Sequence, residues 1–268
     1  MPIIVSSALI IPADDDINAD SPLIGYRNLV TSSNVTSTTQ NASYPRTNLA
    51  NPATHLLWKG TSAVANETVT VTLSGTDDVD YVGIARHNFG TAGIAVSVQT
   101  LTVATWTERA AALPGDDSPL LFRFTKDQYD GVRLVLSPGS AVPQMATVYA
   151  GELLALQRRI YVGHTPINYG IKNNVVVGRA EAGHFLGRVI TGQHVETSVD
   201  LKNLTPSWYR TNLHPFVLAA QLKPFFFAWR PSAYPLEVGY AWLTSDPVPK
   251  NQLPNGMMQI QLDMSGVI

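Results

Sequence analysis

Oxygen-bearing side chains near the N-terminus are the first residues that could do chemistry. They lie at every second position: Asp14, Asp16, Asn18 and Asp20. At this spacing the oxygen ligands of a calcium loop converge on one hard cation. However, Ala19 stands where such a loop needs glycine, and the closing glutamate is missing. A solvated turn after a strand is the competing interpretation, so we predict no metal site and leave calcium as the open alternative.

Residue patterns that would indicate catalysis are missing or incomplete. His184 and His194 lie in neighbouring strand-like segments and could meet across a hairpin, but no two histidines have a tight metal-ligand spacing. The sequence contains no G-x-S-x-G elbow, no P-loop and no G-x-G-x-x-G fingerprint. Four carboxylates are isolated in sequence: Glu152, Glu181, Glu196 and Glu237. We predict no enzymatic activity and no cofactor, with a dispersed triad or a glycosidase pair as alternatives.

Charged residues are scarce in this chain. They make up 14% of the 268 residues, whereas hydrophobic residues make up 45%. A typical globular protein has about 25% charged residues, so we expect other subunits to cover much of the surface. The net charge is −2 and no basic stripe is present, which argues against nucleic-acid binding. There is no cysteine, which excludes disulfides and thiolate metal sites.

The N-terminal apolar run, MPIIVSSALIIP, ends at Pro12 and is followed by aspartates. No basic region precedes it, so it predicts a β-strand and not a signal peptide. No apolar run approaches the roughly 20 residues that a membrane-spanning helix needs. We therefore expect no membrane insertion.

Alternation of apolar and polar residues dominates the chain. It is clearest in ETVTVTLSG (67–75), GIAVSVQTL (93–101) and MMQIQLDMSG (257–266). Such alternation is typical of half-buried strands. One segment, LTPSWYRTNLHPF, predicts a short helix that begins after Thr205 and ends before Pro215, and FVLAAQL could form a second. The predicted fold class is therefore mainly all-β, with sandwich or barrel architecture.

A proline-broken stretch, ASYPRTNLANPATHLLWKG (42–60), leads into the first of these strands. The segment DDVDYVGIARHNFG (77–90) then gives a buried-strand run. Four residues of the two stretches could line a glycan cleft: Arg46, Trp58, His87 and Asn88. Sugar binding needs an aromatic face and convergent hydrogen-bond donors. The alternative is that Trp58 fills the core, and we favour it because large aromatic side chains usually serve packing.

The same two stretches resemble the discoidin-like (galactose-binding-like) β-sandwich modules of phage tail and other virion proteins. In those modules a YP-x-x-NL-x-NP loop and a tryptophan precede a strand of the form VDYVGIARHN, and a GEL strand closes the jelly roll. The matching residues are Tyr44, Pro45, Asn48, Leu49, Asn51, Pro52, Trp58, 80–88 and 151–153. The resemblance covers residues 25–157. It implies a jelly-roll sandwich over residues 1–157, with residues 1–24 as an N-terminal arm or strand.

Residues 158–268 are similar to a phage tail-tip β domain of the distal-tail type, with one or two short helices. Within them, KPFFFAWRPSAYPLEVGYAW (223–242) holds more aromatic residues than one strand face can bury. Exposed aromatic residues of a ring subunit are intersubunit contacts. The candidates for such an interface are Phe225, Phe227, Trp229, Tyr234 and Trp242. A fully buried strand between two layers is the equal alternative.

The resemblance implies a virion structural protein of a tailed bacteriophage, located at the tail tip and assembled in the cytoplasm of the host bacterium. Such a protein forms a symmetric ring, a hexamer or a trimer, that links the tail tube to the hub and fibres of the host-recognition apparatus. The alternative function is a carbohydrate-binding module that contacts host-surface glycans.

Overall fold

The computed structural model describes residues 3–11, 19–160, 163–252 and 256–267. Their strands are, in chain order, β1 (Ile3–Val5), β2 (Leu23–Gly25), β3 (Val35–Ser37), β4 (Trp58–Lys59), β5 (Glu67–Thr72), β6 (Asp78–His87), β7 (Val96–Thr102), β8 (Thr105–Ala112), β9 (Leu120–Gln128), β10 (Gly131–Leu136), β11 (Gln144–Gly151), β12 (Leu154–Ala155), β13 (Ile171–Arg179), β14 (Phe185–Leu204), β15 (Phe225–Ala228), β16 (Val238–Leu243), β17 (Lys250–Gln252) and β18 (Met257–Val267). The helices are α1 (Phe89–Ala92), α2 (Pro206–Trp208) and α3 (His214–Ala220), with 3₁₀ turns at Arg46–Ala50 and Ile167–Tyr169.

Two five-stranded sheets pack face to face as a β-sandwich. The inner sheet has the order β1-β9-β6-β11-β4, and the outer sheet has the order β3-β5-β10-β7-β8. Alternate residues point between the two sheets, so that Val71 of β5 and Ile84 of β6 share one buried core. This arrangement confirms the predicted all-β class with a β-sandwich.

The third sheet, which we call the C-terminal sheet, collects strands from distant parts of the chain. Its order is β12-β2-β15-β16-β18-β14-β13, and β17 pairs with β18. β2 pairs with β15, and β12 pairs with β2, although both lie within the segment predicted as the sandwich module. β1 pairs instead with β9 of the inner sheet. The domain limit at residue 157 stays a prediction.

The C-terminal sheet covers the second face of the inner sheet. Tyr81 and Tyr149 of the inner sheet share a buried core with Phe226 and Tyr240. The rings of Tyr149 and Phe226 meet edge to face, with centroids 5.5 Å apart. Gly83 lies directly against the Phe226 ring. Because the inner sheet is buried on both faces, β6 carries an almost continuous apolar run in place of alternation.

The helices cover the other face of the C-terminal sheet. Phe216 of α3 packs on Phe225, with ring centroids 4.9 Å apart. The predicted helix end before Pro215 is wrong, because a π-helical turn, Tyr209–Leu213, joins α2 to α3 and the proline lies inside α3. Proline has no N–H to donate and its ring crowds the preceding turn, and the wider π turn accommodates it. None of the described helices has the length and apolarity that crossing a bilayer requires.

Replacing Gly83 by alanine should weaken the contact between the inner and C-terminal sheets. A Cβ at Gly83 would lie 2.5 Å from the ring of Phe226, so one strand must shift. We expect Gly83→Ala to lower the free energy of unfolding by about 1–3 kcal/mol in urea denaturation. Gly115→Ala is the matched control, because nothing lies within 4 Å of the added methyl group. The control should change stability by less than about 0.5 kcal/mol, and equal losses in both variants would contradict this packing.

Candidate functional site

Trp58, the aromatic candidate for sugar contact, lies inside the sandwich. Its side chain is fully buried in the core between the inner and outer sheets. The indole Nε1–H donates to the backbone oxygen of Thr39 at 3.2 Å. The ring therefore serves packing, as the alternative interpretation holds, and has no face free for a sugar.

The other three glycan candidates form hydrogen bonds with backbone groups of neighbouring loops and strands. His87 is buried, accepts from the Phe89 N–H at Nδ1 and contacts the Ser118 oxygen through Nε2 at 2.8 Å. Burial lowers the pKa of His87 to about 4, so the ring is neutral. Asn88 bridges to the backbone of 142 and 144, and Arg46 donates to the backbone oxygen of residue 35. Trp58 of β4 and His87 of β6 both pair with Met145 of β11, so the structure places Trp58, His87 and Asn88 at one end of the inner sheet. None of the four candidates lines the clefts described below.

Two of the five interface candidates are internal to the chain. Phe225 and Phe227 are buried against the helices, so a neighbouring subunit cannot reach them. Trp229 and Tyr234 stack on each other with ring centroids 5.4 Å apart. Tyr234 and Trp242 are partly exposed and are the members of this set that a neighbour could contact. The aromatic run is thus largely accounted for by a strand buried between two layers.

Asp20, the described member of the predicted oxygen cluster, is engaged elsewhere. Its carboxylate accepts from Arg230 at 2.6 Å and from the Ala233 N–H at 3.0 Å. Asp14, Asp16 and Asn18 lie outside the described residues. This ion pair fixes the segment before β2 to the loop after β15.

The two histidines that could have met across a hairpin do not face each other. His184 lies in the turn between β13 and β14, and His194 pairs with Lys172 further along the same ribbon. Within the part of the chain that the structure describes, no group of three or more His, Asp or Glu side chains is placed to hold a metal ion.

A polar cleft of about 350 Å³ opens where the inner sheet meets the C-terminal sheet and α2. Five segments that are distant in sequence contribute its polar and aromatic side chains: Tyr26, Arg27, Asp80, Arg123, Lys126, Glu152 and Trp208. Between the pairs Val79–Asp127 and Tyr81–Arg123, one residue of β6, Asp80, faces three residues of β9 (124–126), and this irregularity positions Asp80. Tyr26 is held by an edge-to-face contact with Phe216 at 5.4 Å. The residues of this cleft are far apart in the chain, so no local sequence pattern reveals it.

Ion pairs form the rim of the polar cleft. Glu152 accepts from both Arg27 and Lys126, and Lys126 also lies 3.7 Å from Asp78. Asp80 lies deeper and accepts from the Leu153 N–H at 2.7 Å. Burial raises the pKa of Asp80 to about 7, despite that hydrogen bond and the nearby Arg123 charge. A concave site that combines aromatic side chains, ion-pair groups and a perturbed carboxyl has the features of a ligand-binding site.

The second notable surface is an apolar ribbon, which we call the arm: β13, the turn at 180–184 and residues 185–194 of β14. β13 is the edge strand of the C-terminal sheet, and residues 195–204 of β14 continue into the pairing with β18. Val176 pairs with Val189 on one face, and Val175 pairs with Ile190 on the other. Its exposed apolar side chains are Ile171, Val175, Val176, Val177, Phe185, Leu186, Val189 and Ile190.

No protein-family model matches the chain, and no curated protein matches its sequence. Chitosan-binding module 1 of a Paenibacillus sp. IK-5 chitosanase/glucanase is a similar solved structure, with 15% identity, 47% of this chain and 99% of that chain covered, and a TM-score of 0.43. A CBM32 module of Clostridium perfringens, solved with GalNAc-β-1,3-galactose, has 11% identity, 44% and 94% coverage and a TM-score of 0.39. A GH29 fucosidase of Ruminococcus gnavus has 13% identity, 47% and 26% coverage and a TM-score of 0.39.

The raised pKa of Asp80 predicts a pH-dependent stability term. The folded chain keeps the Asp80 proton up to about pH 7, whereas the unfolded chain loses it near pH 3.8, so the contribution of Asp80 to stability falls as pH rises through this window. In urea denaturation, the free energy of unfolding of Asp80→Asn minus that of the parent should therefore increase by about 2–4 kcal/mol from pH 4.5 to pH 8. Asp127→Asn, an exposed carboxylate on β9, is the control. A stability difference for Asp80→Asn that does not change with pH would contradict the burial.

Proposed function

We propose that this chain is a non-catalytic structural protein that assembles with copies of itself through the arm. The observation that carries the proposal is the row of exposed apolar side chains on a ribbon of two strands. A two-stranded ribbon is marginally stable in water without further packing. Exposed apolar patches of this kind mark protein contacts or aggregation sites.

Both faces of the arm are apolar, which favours a particular kind of assembly. Val176 and Val189 expose apolar surface on one face, and Val175 and Ile190 expose it on the other. A subunit in a closed ring has a neighbour on each side, so a ring can cover both faces with one repeated contact. The low charged fraction of 14% is consistent with a surface that other subunits cover.

The specific assembly that we propose is the distal tail ring of a tailed bacteriophage. Its support is the sequence resemblance of residues 25–157 and 158–268, together with the self-association that the arm predicts. In that setting the ring would contact the tail tube, hub and fibre proteins, and the protein would be located at the virion tail tip.

Charging one face of the arm should dissociate the assembly. We expect the purified chain to sediment as an oligomer, and Val176→Lys combined with Val189→Lys to weaken association by about 2 kcal/mol or more. The matched control is Val64→Lys with Val248→Lys, two exposed valines outside the arm. The control should sediment like the parent. A parent chain that sediments as a monomer, or an arm variant that stays assembled, would contradict the proposal.

Carbohydrate binding is the second function that we propose, and the polar cleft favours it. Sugars bind to aromatic faces flanked by hydrogen-bonding groups. Tyr26 and Trp208 are half-buried side chains at this cleft, beside the ionic groups of Arg27 and Glu152. The two functions are compatible, because the cleft and the arm are lined by different residues.

Hydrolysis at the polar cleft is the alternative that binding has to be tested against. Asp80 and Glu152 place two carboxyl groups in one cleft, as a glycosidase requires. However, Glu152 is engaged by both Arg27 and Lys126. We therefore propose that the cleft binds sugar without cleaving it, and release of reducing ends from a bound glycan would contradict this.

Removing the aromatic side chain of Trp208 should weaken sugar binding. We expect Trp208→Ala to lower affinity roughly tenfold for any glycan that the parent binds on a glycan array. Trp106→Ala is the matched control, because Trp106 is also half-buried but lies on the outer sheet beside Arg133. Equal binding by the Trp208 variant and the control would show that the cleft is not the sugar site.

A further inference from the structure

Arg123 is a buried cation in the polar cleft, and its Nε has no hydrogen-bonding partner among the described residues. Its side chain is only 7% exposed, and it lies on β9 among the residues that line the cleft. No described carboxylate lies within ion-pair distance of its guanidinium. Burial lowers the pKa of Arg123, which reflects the cost of keeping this charge away from water.

The neighbouring acidic groups do not neutralise Arg123. Glu152 is occupied by Arg27 and Lys126 at the rim. Asp80 interacts with Arg123 only through its charge, and burial favours its neutral, protonated form up to about pH 7. A neutral carboxyl group can donate a hydrogen bond to an anion. Below about pH 7 the interior of the cleft therefore offers a guanidinium and a carboxyl proton.

A buried guanidinium without a partner costs stability, so a folded protein retains it where it serves another purpose. The planar fork of arginine matches the two oxygens of a carboxylate or a phosphate. The aromatic side chains Tyr26 and Trp208 line the same cleft. The combination fits a ligand with a sugar ring and an anionic substituent.

We propose that the polar cleft binds an acidic saccharide whose anionic group pairs with Arg123. This inference rests on the proposed carbohydrate-binding function and adds the class of sugar. A second depression of about 220 Å³ shares Arg27 and Glu152 with the cleft and is also lined by Asp77, Asp78 and Gln128. Because the two depressions adjoin at Arg27 and Glu152, we expect an oligosaccharide with its acidic unit over Arg123 and the next unit in this depression.

The ligand class is tested with a panel of matched oligosaccharides and the full chain at pH 6. Each uronic-acid oligosaccharide is paired with its neutral methyl ester, and each phosphorylated sugar with its dephosphorylated form. We expect the acidic member of a pair to bind at least tenfold more tightly, and the pair that shows this identifies carboxylate or phosphate as the anion. Equal binding of both members would overturn the inference while carbohydrate binding stands. No binding to any glycan would overturn both, and inorganic phosphate binding as tightly as a sugar phosphate would overturn the saccharide assignment.

The role of Arg123 is tested with two substitutions and a control. Arg123→Gln should abolish the preference for acidic over neutral sugar, and Arg123→Lys should retain part of it. Arg133→Gln on the outer sheet removes an arginine that already donates to Gln99 and should leave the preference unchanged. The Tm of Arg123→Gln should equal or exceed that of the parent, because a buried unpaired charge is removed. A lower Tm, or an unchanged preference for acidic sugar, would overturn the assignment.

Discussion

The inner sheet is buried on both faces, by the outer sheet on one side and by the C-terminal sheet on the other. This burial determines where the remaining apolar surface lies. Phe226 and Tyr240 of the C-terminal sheet close on Tyr81 and Tyr149 of the inner sheet. The aromatic residues of β15 are consequently buried. Phe226 packs on the sandwich, and Phe225 and Phe227 pack under the helices. The long apolar surface that remains among the described residues is the arm, which extends beyond the strands that pack on the sandwich.

The polar cleft is a second consequence of stacking three sheets. Alternation along β9 directs Phe122 and Phe124 into the sandwich core, and it directs Leu121 and Arg123 toward the C-terminal sheet. At Arg123 the two sheets have begun to separate, and the gap is lined by residues of β6, β9 and α2. A hydrophobic residue at this position would pack without the cost of burying a charge. The cost is understandable if the cation has a ligand to bind.

The sequence predicts the local part of this structure well and the long-range part poorly. Alternation in residues 67–75 and 257–266 identifies β5 and β18, because the period of two is a local property of a strand. Alternation does not reveal that β2 and β12 belong to the C-terminal sheet and not to the sandwich. The general tendency of large aromatic side chains to pack already favours a buried Trp58, whereas the burial of His87 depends on strands distant in sequence. The cleft residues Asp80 and Arg123 carried no local signal, because the fold alone brings them together.

Neighbouring copies of this chain cover the arm in the assembly that we propose. Hydrogen–deuterium exchange of the amides of residues 175–190, measured at high and at low protein concentration, would detect this cover. We expect these amides to exchange slowly where the chain is assembled and much faster after dilution, while the amides of β10 inside the sandwich stay protected at both concentrations. Arm amides that exchange at the same rate at both concentrations would contradict it.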